Sequence, residues 1–179
     1  MYRLPAESEI QVKRMTINKD KAILSDAGYL HMVREAVKED LDALLDLYLF
    51  LHEDSIPDHD NHLEKTWAQI IEDPNHHLLV NEIDGQIVSS CVCVIIPNLT
   101  RNVRPYAFVE NVVTRADHRG KGLATECLDY AKKIAEQENC YKMMLLTGSK
   151  KPETLRFYEK AGYNSSDKTA FIQWLGTDK

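Results

Sequence analysis

The sequence has few cysteines, no long apolar run and no excess of positive charge. Its four cysteines form no Cys-x-x-Cys pair and are too sparse for a disulfide scaffold. No apolar stretch approaches the ~20 residues that a membrane-spanning helix needs. The first thirty residues lack the charged-then-apolar layout of a secretory signal. These absences predict a reduced, cytoplasmic protein without a membrane partner.

The charge balance is acidic, with 22 Lys and Arg residues against 28 Asp and Glu residues and a net charge of −6. A protein that binds nucleic acid through its phosphates normally carries an excess of positive charge. We therefore expect no nucleic-acid partner. The length of 179 residues and the 44% hydrophobic content suit one globular domain with a full-sized core.

The hydrophobic pattern predicts alternating strands and helices after residue 28. Residues 1–28 show no clear hydrophobic period, which indicates an N-terminal extension of uncertain structure. Residues 29–179 are predicted to form one domain. Asp84-Gly85 between two β-rich runs is typical of a type I′ hairpin. The order of the predicted strands and helices along the chain indicates an α/β or α+β fold on a mixed sheet. Strands are predicted over residues 29–33, 77–83, 86–96, 106–114, 143–147 and 169–175, and helices over 38–52, 63–71, 120–137 and 153–161.

A glycine-containing turn joins a predicted strand to a predicted helix. The first turn of a helix has unpaired N–H groups and positive potential, and small residues there let a phosphate come close. The turn therefore predicts a pyrophosphate site. Its candidate cofactor-binding residues are Arg119, Gly120, Lys121, Gly122, Leu123, Ala124 and Thr125.

Three kinds of phosphate-binding turn combine glycines with the start of a helix, and they differ in the spacing of their residues. The Walker spacing with its Gly-Lys-Ser/Thr ending is absent. A Rossmann fingerprint needs a small residue where Thr125 stands, and no acidic strand-end residue follows about twenty positions later. Arg119-x-x-Gly122-x-Ala124 fits the third kind, the acyl-CoA pyrophosphate motif of Arg or Gln, two residues, Gly, one residue, and Gly or Ala.

With this motif and a second one, the chain resembles the GNAT N-acetyltransferase superfamily from about residue 29 to 175. The second motif, FYEKAGY at residues 157–163, is similar to the "FYxxxGF" element of that family. Residues 139–146 also resemble the branch that acetylates amino sugar phosphates. Lys151 stands where the family often has asparagine, and a lysine there could meet a CoA phosphate.

The resemblance implies a GNAT-like acyltransferase fold, with a mixed, mostly antiparallel sheet flanked by helices. It also implies acetyl-CoA as co-substrate and transfer of its acetyl group to a primary amine of a small molecule or peptide by direct attack. Val112, Val113 and Thr114 would offer backbone groups to the pantetheine arm. An acyl-CoA-binding sensor without turnover is the alternative function, which the departure at Lys151 slightly favours.

Two residues are candidates for proton transfer. Tyr158 stands where the resemblance places the tyrosine that protonates the leaving thiolate, although a helical tyrosine is more often a packing residue. Glu110 is a carboxylate within an apolar strand and a candidate base or proton relay. Period-two counting puts it on the face of Phe108 and Val112, opposite Asn111. Pairing with Arg101 or Arg104 is nearly as plausible, and waters could instead take the amine proton.

Acidic residues concentrate between Glu35 and Glu64, which favours a cationic acceptor amine. A solvated helix face explains two of them, Asp42 and Asp46, equally well. Arg101, Arg104 and Lys151 would instead suit a phosphorylated amino sugar. The His- and Asp-rich residues 52–62 lack a four-ligand pattern, so no metal site is expected. Phe171 and Trp174 could serve a homodimer edge strand or a monomer core.

Overall fold

The structure is a computed structural model that describes residues 23–24, 30–51 and 54–175. Most of the predicted N-terminal extension, and His52 and Glu53 of the His- and Asp-rich segment 52–62, lie outside the described residues. The elements are β1 (Ile23–Leu24), β2 (Leu30–Glu35), α1 (Leu41–Tyr48), α2 (Asn61–Glu72), β3 (His76–Ile83), β4 (Gln86–Ile96), β5 (Tyr106–Thr114), α3 (Leu123–Gln137), β6 (Met143–Leu145) and α4 (Pro152–Lys160).

One sheet runs through the described residues in the order β1-β2-β3-β4-β5-β6. Every neighbouring pair is antiparallel except β5 and β6, which are parallel and connected through α3. This confirms the predicted mixed, mostly antiparallel sheet. Asp84 and Gly85 have φ values of 49° and 82° between β3 and β4, as a type I′ turn requires.

Helices cover both faces of the sheet, and each face has its own apolar core. On one face, α3 packs through Cys127, Ala131 and Ile134 against a group of strand residues; these are Leu79, Cys91, Cys93, Ala107 and Val109. On the other face, α1 and α2 pack through Leu44, Leu47 and Trp67 against a second group; these are Leu78, Val80, Val92 and Val113. All four cysteines are free thiols.

Arg34 on β2 forms a largely buried ion-pair network. Its guanidinium contacts both oxygens of Asp40 at 2.6 and 2.9 Å and Oε2 of Glu82 at 2.7 Å. Burial alone would raise the pKa of Asp40, but hydrogen bonds from Arg34 and from the Val37 N–H outweigh it and lower that pKa. The network joins β2, β3 and the turn before α1.

We expect Arg34→Met to reduce the free energy of unfolding by about 3 kcal/mol, because two carboxylates lose their partner in a largely buried site. Urea titration followed by circular dichroism at pH 7 measures the loss. The loss should shrink as the pH falls from ~4 through the lowered pKa of Asp40, because the carboxylate is then protonated. Arg156→Met, at an exposed position of α4, is the control. Equal losses in the two variants would refute this role for Arg34.

The predicted strand over residues 169–175 is wrong for this chain. Residues 164–175 form no strand, and Phe171 and Leu175 are 92% and 94% exposed. The residue types in this segment indicate β-propensity, but they do not show whether a neighbouring strand is available for pairing. The last strand of the sheet, β6, is short and pairs with β5 through only three residues. Among the described residues there is also no helix with the length and apolar character that a membrane span requires.

Candidate active site

β5 and β6 separate halfway along β5. The two strands pair only at Ala107–Met143, Phe108–Met144 and Val109–Leu145, whereas β5 continues to Thr114. Within the part of the chain that the structure describes, the last five residues of β5 therefore have no strand partner on the β6 side. Their edge offers backbone N–H and C=O groups to an extended ligand, as an added strand would use them.

A β-bulge lies at the start of this open edge. Ser90 pairs with Val113 and Val92 with Glu110, so β5 has one residue more than β4 in this stretch. Asn111 has a φ of 52° there, in the left-handed region that asparagine tolerates. Val112 consequently packs on the α3 side, and Glu110 pairs with Val92 of the α1/α2 core. The prediction that Glu110 and Val112 share one face is wrong, because the bulge interrupts the period of two.

The glycine turn leads from β5 into α3 and leaves the start of that helix uncapped. Gly120 and Gly122 have φ values of 77° and 86°, and Gly122 is the N-cap without a side-chain cap. The Glu126 N–H donates to the Gly122 carbonyl. The N–H groups of the three preceding residues, Leu123, Ala124 and Thr125, thus have no acceptor within the helix. In α2, by contrast, the Asp60 side chain accepts hydrogen bonds from two of the equivalent groups, the N–H groups of His62 and Leu63.

The basic residues predicted for phosphate binding are exposed. Arg119 donates from Nε to the Thr114 carbonyl oxygen at 3.1 Å, which fastens the turn to the end of β5. Lys121 is exposed within the turn, and Lys151 is the exposed N-cap of α4. Because β5 and β6 are parallel, their carboxyl ends lie at the same end of the sheet. The glycine turn follows β5 and Lys151 follows β6, so both come after the carboxyl end of their strand.

Glu110 and Tyr158 both have shifted pKa values. Burial raises the pKa of Glu110, and the Asn111 N–H partly offsets this. Burial also raises the pKa of the Tyr158 hydroxyl, with smaller contributions from Cys91 and Glu110. The alternative partners of Glu110 are engaged elsewhere: Arg104 donates to the carbonyl oxygens of Asn139 and Cys140, and Arg101 lies over Tyr141.

A buried polar network holds the first turn of α3 on the sheet. Asn81 of β3 is fully buried and donates from Nδ2 to Oε2 of Glu126 at 2.6 Å. His31 of β2 contacts the same oxygen at 3.2 Å. The only acidic side chain in the first turn of α3 is thereby held against the sheet. These three residues could not be predicted from the sequence, because they lie far apart in the chain and match no motif.

The acidic segment between Glu35 and Glu64 is partly structural. Glu35 contacts buried His77 at 3.0 Å, Asp40 pairs with Arg34, and Asp60 caps α2. Other acidic residues remain exposed, among them Asp42, Asp46, Asp54 and Asp58. Within the described part of the chain, no group of three or more His, Cys, Asp or Glu residues could hold a metal ion.

A family model described as "Acetyltransferase (GNAT) family" matches residues 41–163, which include both the open edge of β5 and the glycine turn. The chain belongs to the GNAT acetyltransferase family. It is 33% identical over 84 residues to the glucosamine 6-phosphate N-acetyltransferase of Trypanosoma brucei brucei, a match that covers 47% of this chain and 55% of that protein. The chain thus spans about half the length of this curated relative.

Solved structures agree with this family. A protein of Agrobacterium tumefaciens assigned as an acetyltransferase has a TM-score of 0.74 and 35% identity, over 80% of this GNAT chain and 99% of the other. An aminoglycoside N-acetyltransferase solved in complex with CoA has a TM-score of 0.69 at 15% identity, over 86% and 100% of the two chains. The second likeness shows the fold alone.

Proposed function

We propose that this GNAT protein transfers an acetyl group from acetyl-CoA to a primary amine of a small molecule or peptide. The observation that carries the proposal is the separation of β5 from β6. It leaves an open strand edge, at Val112, Val113 and Thr114, that leads directly to an uncapped helix start. An extended amide-containing arm suits the edge, and a pyrophosphate suits the N–H groups of α3. Lys121 and Lys151 add positive charge at that end.

The chemistry is a direct attack of the amine on the thioester carbonyl carbon. An amine with a pKa of ~10.4 must lose a proton first, which costs about 4–5 kcal/mol at pH 7. Glu110, directly or through water, accepts that proton. The C–N bond forms and the C–S bond breaks as Tyr158 donates its hydroxyl proton to the departing thiolate. The second proton that the nitrogen loses on becoming an amide passes through water to the tyrosinate and restores Tyr158. Free N–H groups on the β5 edge support the developing oxyanion.

The raised pKa of Glu110 supports its role as base, since it brings the group closer to the working pH. We expect Glu110→Gln to lower kcat/KM about 100-fold at pH 7. In the parent enzyme kcat/KM should fall as the pH drops through the pKa of Glu110, and this acidic limb should be absent from the variant. The pH profile of a thiol-release assay measures both effects.

Asp129→Asn is the control for this experiment, because Asp129 is an exposed carboxylate on α3. Its profile should match that of the parent. An acidic limb that persists in Glu110→Gln would assign the base to another group or to water.

The acceptor is tested separately with spermidine, kanamycin, glucosamine 6-phosphate and free amino acids, each incubated with acetyl-CoA and analysed by mass spectrometry. The exposed acidic residues of α1 and the following segment support a cationic amine. The Trypanosoma relative acts on an amino sugar phosphate, as its name says, which supports the opposite charge preference. CoA binding without turnover of any amine would favour the sensor alternative.

A further inference from the structure

A carboxylate lies beside the free N–H groups at the start of α3. Glu126 is the acidic residue of the first turn of that helix, and its N–H donates to the Gly122 carbonyl. Side chains of an α-helix lean towards its N-terminus, so the Glu126 side chain extends towards the turn that begins at Gly122. The positive end of a helix attracts a carboxylate as it attracts a phosphate. An unrestrained Glu126 would therefore compete with a pyrophosphate for this position and repel it.

Two side chains of the sheet contact this carboxylate. Asn81 of β3, which is fully buried, donates from Nδ2 to Oε2 of Glu126 at 2.6 Å. Nδ1 of His31 on β2, a residue that is only 8% exposed, lies 3.2 Å from the same oxygen. Asn81 Nδ2 also lies 3.4 Å from the Leu123 carbonyl oxygen, which places the amide against the first turn of α3. The Glu126 carboxylate is thus bound to the sheet, whereas the free N–H groups point towards the N-terminal end of the helix.

Packing alone does not explain an asparagine at position 81. Oδ1 of Asn81 is buried and accepts no hydrogen bond from the residues that the structure describes. A buried acceptor without a partner costs free energy, and a leucine of similar size would avoid that cost. What an asparagine adds here is the Nδ2 donor, and Glu126 accepts the shorter of its two hydrogen bonds. The contact with Glu126 is therefore the interaction that this side chain supplies.

We propose that Asn81 and His31 are positioning residues for cofactor binding, which hold the Glu126 carboxylate on the sheet and keep the start of α3 available to the CoA pyrophosphate. This inference rests on the proposed function, in which acetyl-CoA uses that helix start. Asn81 and His31 act through Glu126 and not on the reacting atoms. Their loss should therefore change the affinity for CoA and leave the chemical step unchanged.

A double-variant cycle that removes the charge of Glu126 tests this assignment. Asn81→Leu should weaken CoA binding about tenfold in isothermal titration at pH 7 and low salt, because the released carboxylate repels the pyrophosphate. Glu126→Gln should leave the Kd within about twofold, and the double variant should bind CoA as Glu126→Gln does. Raising the salt from ~20 to ~500 mM should reduce the ratio of the Asn81→Leu and parent Kd values, because salt screens the repulsion. Removal of the charge would not repair a merely distorted fold.

Steady-state kinetics separates affinity from chemistry. Asn81→Leu should raise the KM for acetyl-CoA about tenfold and leave kcat within about twofold. His77→Leu is the matched control, because His77 also lies on β3, is 5% exposed and contacts a carboxylate, that of Glu35, at 3.0 Å. It should lower Tm as Asn81→Leu does but leave the Kd for CoA unchanged.

Three results would overturn this inference while the proposed function stands. They are an unchanged Kd in Asn81→Leu, a loss of affinity that persists in the double variant, and an equal loss in His77→Leu. If Asn81→Leu does not fold, His31→Leu takes its place in the cycle, with an expected loss of about threefold and the same criteria. A parent protein that does not bind CoA would overturn both this inference and the proposed function.

Discussion

Gly122→Glu is expected to weaken CoA binding at least ~100-fold, which corresponds to about 2.7 kcal/mol. The new carboxylate would stand at the start of α3, where the free N–H groups favour an anion, and would repel the pyrophosphate. A Cβ at this position meets no atom within 4 Å, so no clash in the described chain confuses the result. Isothermal titration with CoA measures the affinity, and a thermal-shift series with acetyl-CoA gives an independent value.

The φ of 86° at Gly122 gives every substitution there a conformational cost of about 1–2 kcal/mol. Gly85→Glu provides the control, because Gly85 has a φ of 82°, also has nothing within 4 Å, and lies in the β3–β4 hairpin. Both variants should lose similar stability, but only Gly122→Glu should lose the acetyl-CoA-dependent rise in Tm. If Gly85→Glu loses that rise equally, the effect comes from backbone strain and the proposed pyrophosphate site is wrong.

Tyr158→Phe is expected to lower kcat about 100-fold and to leave the Kd for CoA within about twofold. The substitution removes only the hydroxyl group that would protonate the leaving thiolate. The raised pKa of Tyr158 keeps this hydroxyl protonated through the neutral range, as an acid must be. Steady-state kinetics with a turned-over amine gives kcat, and titration with CoA gives the affinity.

Tyr163→Phe is the matched control for this experiment. The Tyr163 ring lies edge-on to that of Tyr158 with their centroids 6.2 Å apart, and burial likewise raises its pKa. A packing role for these hydroxyls would give both variants similar, small effects. Unchanged kcat in Tyr158→Phe would remove Tyr158 from the mechanism while leaving the CoA site intact.

The sequence predicts most of the site because its residues are local. Gly120 and Gly122 lie within one turn, and the change from a strand pattern to a helix pattern at that turn marks the start of α3. The hairpin at Asp84-Gly85 is predicted for the same reason, since two adjacent residues determine its backbone conformation. The roles of Glu110 and Tyr158 stay predictions that the kinetics above would test.

The remaining features depend on contacts that no short pattern contains. The bulge at Asn111 shifts the faces of β5 by one residue, and a single asparagine in a strand is too common to reveal it. The contact between Asn81 and Glu126 joins residues 45 positions apart. The segment after α4 has strand propensity, but propensity does not show whether a strand edge is available to pair with it.

The contacts of β2 bear on how much of the chain is needed for a folded acetyltransferase. The family match begins at residue 41, after the end of β2. However, Arg34 of β2 pairs with Asp40 and Glu82. His31 of the same strand contacts Glu126. A fragment trimmed to the matched residues would leave Glu82 and Glu126 without these partners and would expose the edge of β3. The smallest autonomous folding unit therefore includes β2, so a minimal catalytic fragment should start before Leu30.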